Sequence, residues 1–367
     1  MRILCVGTDY PPERRGGYEL QCAGFAAHAR AHGHVARVLC AGRGERDGDV
    51  ARTLRRFPVV PQPTSPEEAW RAEAHNARAF ERELERVRPD VVCWWRLGEL
   101  SMSLLRRADV PTVGVVCDGW MLDGPERDPW ARMTRRAPAF HRSRWLFVSE
   151  HLRARVGGDG RVVHAGIEPL APADERAWDG RLLYAGRVSP LKGIDVAIRA
   201  LAQLPGMRLD IVGDGAPDYL ADLRALARAA GVAGRVRFAA SVPREALRER
   251  YAAADAVLFP VRWDEPFGLV PLEAMAVGRP VVATGRGGSA EYLRDGENAL
   301  LAPSGDVAAT AAAVRALAEH APLRRALVAA GRKTAAAFPA AKSHAAVLAA
   351  LEAAARPRAV VEEPACV

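Results

Sequence analysis

The chain has 367 residues, of which 49% are hydrophobic and 26% are charged. These proportions are ordinary for a globular protein in water, and the length suggests two or three domains. No apolar run approaches the roughly 18 residues of a membrane span, and Met1-Arg2 leads directly into an apolar run rather than a secretory leader. We therefore expect a cytoplasmic protein that makes no more than peripheral contact with a membrane.

The net charge of +8 raises the question of a nucleic-acid partner. The chain has no nucleic-acid-binding motif and only 6% aromatic residues, so we expect no such partner. Of its 52 basic residues, only Lys192, Lys333 and Lys342 are lysine. Because Lys192 also lies in a strand-to-helix loop, it is a candidate functional residue.

The cysteines show no Cys-x-x-Cys spacing, and most lie in or beside apolar strand-like runs. This pattern is typical of reduced, buried residues rather than of a metal site or a disulfide framework. We predict no metal site and no cofactor. The cysteines are Cys5, Cys22, Cys40, Cys93, Cys117 and Cys366.

Short β-rich apolar runs alternate with segments of helical period along the chain. In the first half, the pattern predicts strands at 2–6, 35–40, 91–94, 112–116, 145–148 and 161–164, and helices at 17–32, 66–86 and 100–107. In the second half, it predicts strands at 181–184, 209–212, 236–238, 256–258 and 280–283, and helices at 193–204, 216–230, 244–253 and 269–277. A final helix is predicted at 342–355, followed by a frayed tail at 359–367.

Strands that alternate with helices predict an α/β fold with parallel sheets covered on both faces. The stretch 168–180 is rich in proline, alanine and acidic residues and indicates a linker. We predict two doubly wound, Rossmann-like domains at 1–170 and 175–338, with a terminal helix at about 340–358 that packs back on the first. Ligands bind such sheets at the carboxyl ends of their strands, so the site should lie in the cleft between the domains.

The segment from Asp264 to Glu273 carries the strongest chemical signal. It places Glu265 and Glu273 on either side of a Pro-Phe-Gly turn and the start of a helix. Unpaired amides at a helix start suit a phosphate, and carboxylates accept hydrogen bonds from hydroxyl groups. A nucleotide-sugar has both groups, so this segment favours a nucleotide-sugar site.

Arg187 and Lys192 flank the start of the next predicted helix upstream, after the strand at 181–184. Cations are disfavoured at a helix start by a few tenths to about 1 kcal/mol, and a bound anion would remove that penalty. Solvated loop charges are the alternative interpretation. The nearby glutamate segment favours the phosphate interpretation.

The loop after the first strand contains Gly16-Gly17 at a predicted helix start. Two glycines allow a backbone to approach a ligand closely, although such pairs are usually only turns. The Gly-x-Gly-x-x-Gly spacing is absent from this loop, which argues against a standard dinucleotide site.

Taken in order, these motifs resemble a retaining GT-B glycosyltransferase of family four (glycosyl transferases group 1), over nearly the full length. The resemblance also includes the motif that begins Gly278-Arg279-Pro280 and the pair Gly287-Gly288 with Glu291. It implies that Arg187 and Lys192 bind the donor diphosphate and stabilise the leaving group. Glu265 would contact the donor sugar, and Glu273 the ribose. The remaining implied donor contacts are Gly16, Gly17, Gly268, Leu269, Val270 and, at the nucleobase, Val242.

One departure from the family concerns Cys117, which stands where the family often has a histidine that contacts the donor sugar. Asp118 follows it and is a candidate for part of that role; the alternative is an ordinary aspartate that caps a turn. Trp95 and Trp120 end other predicted strands. Either they contact an acceptor, or they belong to the core, as large aromatic residues usually do.

The resemblance implies transfer of a sugar from a nucleoside diphosphate, such as UDP, to a hydroxyl or amine with retained anomeric configuration and without a metal. The acceptor would be a sugar, natural product or lipid, and the protein a monomer or homodimer. The alternatives are a nucleotide-sugar epimerase, a phosphorylase or a catalytically silent nucleotide-binding partner.

Overall fold

The computed structural model describes residues 1–13, 16–57, 65–128, 131 and 134–356. Cys366, the predicted end of the terminal helix at 357–358 and the predicted tail at 359–367 lie outside the described residues. The described chain forms two mainly parallel β-sheets with helices packed against them. The predicted fold class, α/β with two parallel-sheet domains, is confirmed.

The first sheet is built from the first half of the chain. Its strands are β1 (Arg2–Val6), β2 (Val35–Ala41), β3 (Glu45–Asp47), β4 (Val50–Leu54), β5 (Val91–Trp94), β6 (Thr112–Val116), β7 (Arg144–Phe147) and β8 (Arg161–Val162). They lie in the order β3-β4-β2-β1-β5-β6-β7-β8, and only the β3–β4 pair is antiparallel. β1 and β5 are central, and their runs are buried from Ile3 to Val6 and from Val91 to Trp94 because helices cover both faces.

The second sheet follows the same plan. Its strands are β9 (Arg181–Ala185), β10 (Arg208–Val212), β11 (Val236–Ala239), β12 (Ala256–Phe259), β13 (Val281–Ala283) and β14 (Leu300–Leu301). Their order is β11-β10-β9-β12-β13-β14, and all the pairs are parallel. The order reverses between β9 and β12, which is where doubly wound sheets bind ligands.

The α-helices described here connect or cover these strands. They are α1 (Tyr18–Ala31), α2 (Pro66–Val87), α3 (Trp120–Arg127), α4 (Glu150–Val156), α5 (Ile194–Leu201), α6 (Pro217–Ala229), α7 (Arg244–Ala253), α8 (Leu269–Val277), α9 (Val307–Glu319), α10 (Ala321–Ala336) and α11 (Ala340–Ala355). Two local hydrogen bonds define the start of helix α2. The Ser65 hydroxyl accepts from the Glu68 amide, and the Glu68 carboxylate accepts from the Ser65 amide.

The chain crosses between the two sheets at two neighbouring points. The first is the irregular stretch at 168–180, and the second lies just before α11, which packs against α1, β5 and β6. At this place the Ile167 amide donates to the Phe338 carbonyl over 2.9 Å, and the Ala340 amide donates to the Ile167 carbonyl over 2.8 Å. The two crossings are therefore hydrogen-bonded to each other.

All predicted strands are present, with ends that differ by no more than two residues. The predicted helix at 100–107 is wrong: this stretch contains a 3₁₀ helix, Met102–Arg106, whose Met102 amide donates to the Asp128 carboxylate. The sequence analysis also missed β3, β4 and β14. β3 consists of exposed polar residues and β14 has two residues, so neither gives an alternating apolar signal.

Candidate active site

Lys192 and Glu265 form the centre of the site, where β9 and β12 end. Lys192 Nζ donates to Glu265 Oε2 over 2.6 Å, and their side chains are only 14% and 12% exposed. The Trp263 indole also donates to this oxygen, over 2.7 Å. The ammonium lies 5.0 Å from the centre of the Trp263 ring, within cation–π range. A cation and a carboxylate thus lie side by side in a partly desolvated site, where electrostatic interactions are stronger than in water.

The backbone at this centre depends on glycine. Gly193, which follows Lys192, has φ +67°, and a Cβ there would lie 1.9 Å from the Pro260 carbonyl oxygen. Gly268, which precedes α8, has φ +86°. Side chains are disfavoured in both conformations, so these glycines allow the lysine loop and the start of α8 to meet.

The start of α8 supplies amide donors beside the Lys192–Glu265 pair. The helix begins at Leu269, and no side chain of the described chain caps it. The first amides of such a helix are available to an anion, and the helix dipole favours negative charge there. The predicted donor contacts Gly268, Leu269 and Val270 are therefore together at one helix start.

The Gly16-Gly17 loop approaches this centre from the first domain. A Cβ built on Gly17 would lie 3.5 Å from Leu269 Cδ1, and one built on Gly16 would lie 3.9 Å from Arg187 Nη2. The Gly16 amide donates to the buried Glu19 carboxylate over 3.0 Å. The structure thus brings together Gly16, Gly17, Arg187 and the start of α8, which are far apart in sequence.

Glu273 faces the interior rather than the Lys192–Glu265 pair. Its Oε2 accepts from the buried Tyr251 hydroxyl over 2.9 Å, and its Oε1 lies 3.5 Å from an Arg244 nitrogen. Burial raises the pKa of the Glu273 carboxyl, and Arg244 and the Tyr251 hydrogen bond oppose that shift. The Glu273 carboxylate therefore links α8 to α7. The predicted contact of Glu273 with ribose stays a prediction.

The predicted nucleobase contact, Val242, lies half-buried before α7. The neighbouring Ser241 amide donates to Asp214 Oδ1 over 3.0 Å, which holds this turn beside the end of β10. The nucleobase assignment stays a prediction.

Asp118 belongs to a charged network in the first domain. Its Oδ2 lies 3.1 Å from Arg96 Nε, and its Oδ1 accepts from the Trp120 amide over 3.1 Å. Arg96 also donates to the Tyr18 hydroxyl and to Glu99, both over 3.2 Å. Asp118 therefore caps a turn and pairs with a cation that reaches Tyr18, the residue after Gly17. Cys117 beside it is half-buried, and burial raises the pKa of its thiol.

Trp95 and Trp120 lie in the core, with 2% and 4% exposure. The Trp95 ring packs 5.7 Å from Phe25, and the Trp120 ring packs 5.8 Å from both Phe140 and Trp145. Of the two interpretations in the sequence, the geometry favours packing for both rings. Either ring could contact an acceptor only if the ring moved out of the core.

Sequence reasoning missed several residues that shape the site. Trp263 precedes Glu265 by two positions, so only its proximity could have indicated a role. Tyr251 and Arg96 gave no signal, because they reach the site from other elements. Glu291 belongs to the recognised pattern, but its contacts were not predicted: its carboxylate accepts from the His151 amide and bonds to His164 Nε2, both over 2.8 Å.

One Asp-x-Asp triplet, Asp47-Gly48-Asp49, is present in the chain, and the sequence analysis gave it no role. It lies in the β3–β4 hairpin at the edge of the first sheet. Asp49 forms ion pairs with Arg30 and Arg37.

Two family models match the chain. Glycosyltransferase Family 4 matches residues 15–169, and Glycosyl transferases group 1 matches residues 175–334. Together they cover both domains apart from β1 and the last helix, and they include every residue of the candidate site. The chain belongs to the family 4, group 1 glycosyltransferases.

Curated relatives of the chain are named as glycosyltransferases. The chain is 34% identical over 257 residues to D-inositol 3-phosphate glycosyltransferase of Acidothermus cellulolyticus, an alignment that covers 60% of this chain and 57% of the relative. It is 36% identical over 265 residues to the protein of that name from Mycobacterium sp. (strain JLS), covering 64% and 60%. The chain thus spans about three fifths of the length of these relatives.

Solved structures have the same fold. Sucrose-phosphate synthase from Thermosynechococcus elongatus superimposes with a TM-score of 0.79 at 23% identity, covering 96% of this chain and 99% of that chain. HepE of Anabaena, solved with UDP and glucose, gives a TM-score of 0.75 at 21% identity, covering 96% and 100%. This family member therefore has the GT-B fold. Among its described helices, none is both long enough and apolar enough to cross a membrane.

Proposed function

We propose that the chain is a retaining glycosyltransferase that moves a sugar from a nucleoside diphosphate to an acceptor hydroxyl. The observation that carries this proposal is the Lys192–Glu265 pair beside the uncapped start of α8, with the Gly16-Gly17 loop opposite. A cation and helix-start amides suit the diphosphate, and a carboxylate suits the sugar hydroxyls. Family membership supports the same reaction.

In the proposed reaction, the bond between the anomeric carbon and the leaving phosphate oxygen breaks, and its electron pair stays on that oxygen. The acceptor oxygen attacks the anomeric carbon from the same face, and its proton passes to the leaving phosphate. Arg187, Lys192 and the first amides of α8 stabilise the charge that develops on the diphosphate. Preorganised donors of this kind commonly supply the largest part of the rate enhancement.

For the donor, we propose a UDP-sugar, because HepE is described in complex with UDP and glucose. For the acceptor, we propose a hydroxyl compound of the sugar or polyol class, because the curated relatives are named for an inositol phosphate. Lys192 is held beside Glu265, and Arg187 lies close to the Gly16 loop. Because two cations could offset the charge of a diphosphate, we propose that transfer needs no added metal ion.

The donor is tested by thermal unfolding with UDP-, GDP-, ADP- and dTDP-glucose. A ligand that binds only the folded state raises the melting temperature, so UDP-glucose should give the largest increase. NMR of the products with an acceptor panel should then show a glycoside with the donor's anomeric configuration. An inverted product would contradict retention.

The same assays separate the alternatives. An epimerase would release a sugar without an acceptor, and a phosphorylase would require inorganic phosphate. A silent binding partner would be stabilised by the nucleotide and show no turnover with any acceptor. Each of these outcomes would overturn the proposed transfer reaction.

A further inference from the structure

A cavity of about 500 Å³ lies on the opposite side of the second domain from the candidate active site. It opens where β12 and β13 begin and where α8 ends, whereas the active site lies where strands end and α8 begins. Its walls are the linker, the Gly278-Arg279-Pro280 turn and one face of α10. Cavities of this size hold small metabolites in other proteins.

The cavity is lined by five arginines and three carboxylates. The arginines are Arg176, Arg279, Arg324, Arg325 and Arg332, and the acidic residues are Asp174, Glu175 and Asp255. The lining thus has an excess of positive charge. Because like charges that converge on one space repel each other, a bound anion would relieve that repulsion.

Helix α10 presents its part of the lining at helical spacing. Arg325, Val328, Ala329 and Arg332 occupy positions i, i+3, i+4 and i+7, and these positions share one face of a helix. Arg325 and Arg332 are both exposed, and two turns of helix separate them. Their guanidinium groups flank an apolar strip formed by Val328 and Ala329.

The acidic residues of the lining pair with only one of these arginines among the described residues. Asp255 pairs with Arg176, over 3.4 Å, and accepts from the amides of Asp179 and Arg181. Among the described residues, no carboxylate lies within ion-pair distance of Arg279, Arg324, Arg325 or Arg332. The cavity therefore holds guanidinium charge beyond what its carboxylates compensate.

Arg279 forms the floor of the cavity and is 6% exposed. It donates to three backbone carbonyls, those of Tyr251, Ala252 and Asp174. Burial lowers its pKa, and the nearby Arg176 and Arg332 lower it further, whereas Asp255 and Asp174 oppose that shift. A buried cation whose direct partners are carbonyl oxygens is costly, and a further anion nearby would reduce that cost.

We propose that this cavity binds a small phosphate monoester, whose phosphate group contacts Arg325 and Arg332 above Arg279. Guanidinium groups bind phosphate oxygens through paired hydrogen bonds, which favours phosphate over a carboxylate of similar size. The apolar strip and the half-buried Trp178 would face the remainder of the ligand. The ligand would also lie against the linker, whose Ala173 carbonyl accepts from Arg332 over 3.3 Å.

The proposal is tested by calorimetric titration with inorganic phosphate and with glucose 6-phosphate at constant ionic strength, and glucose serves as the uncharged control. We expect saturable binding of both phosphates, tighter for glucose 6-phosphate, and no binding of glucose. The pair of substitutions Arg325→Ala and Arg332→Ala should weaken binding at least tenfold. Both side chains are exposed, so the variant should fold.

Two control variants locate the binding. Arg228→Ala with Arg237→Ala removes the same charge from exposed positions elsewhere in the domain and should change the affinity less than twofold. Lys192→Ala disables the candidate active site and should leave this binding intact. Absence of saturable binding, unchanged binding in the Arg325/Arg332 variant, or equal loss in the Arg228/Arg237 variant would overturn the proposal. Binding that is lost only with Lys192→Ala would assign the phosphate to the active site instead.

Discussion

The two walls of the cleft are built in different ways. On the wall from the second domain, Lys192, Trp263 and Glu265 come from two short loops, and their polar atoms meet at one carboxylate oxygen. On the wall from the first domain, Asp118 and Arg96 are joined in a network, and the neighbouring tryptophans are packed in the core. The first arrangement is encoded within short motifs, whereas the second depends on residues that meet only after folding. Substitutions at Lys192 or Glu265 should therefore lower mainly the catalytic rate. Substitutions on the wall from the first domain should lower mainly the stability of the fold.

The largest expected effect is the loss of transfer in Lys192→Ala and in Glu265→Gln. Each change removes a fixed charge from the proposed donor site, and we expect kcat/KM to fall at least about 100- to 1000-fold, as for other preorganised electrostatic groups. Lys342→Ala is the matched control, because that lysine is exposed on α11. Steady-state kinetics measure the effect, and circular dichroism checks the fold. Activity within tenfold of the wild type in either site variant would refute the site assignment.

Trp120→Ala separates packing from acceptor binding on the network wall. Because this ring is buried among Phe140 and Trp145, its loss should lower the free energy of unfolding by about 3–5 kcal/mol. Trp70 is 48% exposed, so Trp70→Ala should change that energy by no more than about 0.5 kcal/mol. Urea unfolding measures both. If Trp120→Ala kept its stability and raised the acceptor KM, the ring would be an acceptor contact after all.

Tyr251→Phe tests the hydrogen bond between Tyr251 and Glu273, which links α7 to α8. Without the hydroxyl, the buried Glu273 carboxylate loses one hydrogen bond, which should cost about 1.5–3 kcal/mol of unfolding free energy. We also expect a higher donor KM, because Glu273 holds the helix whose start meets the donor. Tyr219→Phe provides a half-buried tyrosine control. Equal losses of unfolding free energy in the two variants would show that the Tyr251–Glu273 hydrogen bond stabilises the fold no more than the hydroxyl of Tyr219 does.

The smallest expected effect is a pH dependence of stability on the side of the first domain. His344 on α11 is buried beside Phe25 and His28, with Gln21 and Glu168 also nearby, and burial lowers its pKa to about 4. The unfolded histidine, with a pKa near 6.5, therefore binds more protons than the folded one between about pH 6.5 and 4. Its contribution to stability should fall by about 1–2 kcal/mol from pH 7 to pH 5.

Comparison of variants isolates that contribution from other titrating groups. The stability of His344→Gln should decrease less steeply with acidification than that of the wild type. His141 is exposed, so His141→Gln should keep the wild-type slope. Urea unfolding at several pH values provides the slopes. Identical slopes for the wild type and His344→Gln would show that this histidine is not responsible.

The sequence predicted what depends on local pattern. All strands except β3, β4 and β14, together with α8 and the residues at its start, follow from apolar runs, breakers and helix-start chemistry close along the chain. The Tyr251–Glu273 and Arg96–Asp118 contacts could not be predicted, because each joins side chains from separate elements whose spacing is set by packing. Trp120 shows the same limit, since a ring at the end of a strand can face either the cleft or the core. The exposed polar strand β3 pairs only because the turn at Gly48 returns the chain beside it.

The hydrogen bonds between Ile167 and the segment around Pro339 have a mechanical consequence. Two chain crossings joined at one point act as a single pivot. Rotation of one domain about this point keeps both bonds, whereas sliding or twisting apart would break them. We therefore expect the two domains to stay close at this point when the cleft opens or closes. The distance between spin labels placed on either side of the Ile167–Pro339 contact should then stay constant, whereas distances across the cleft vary.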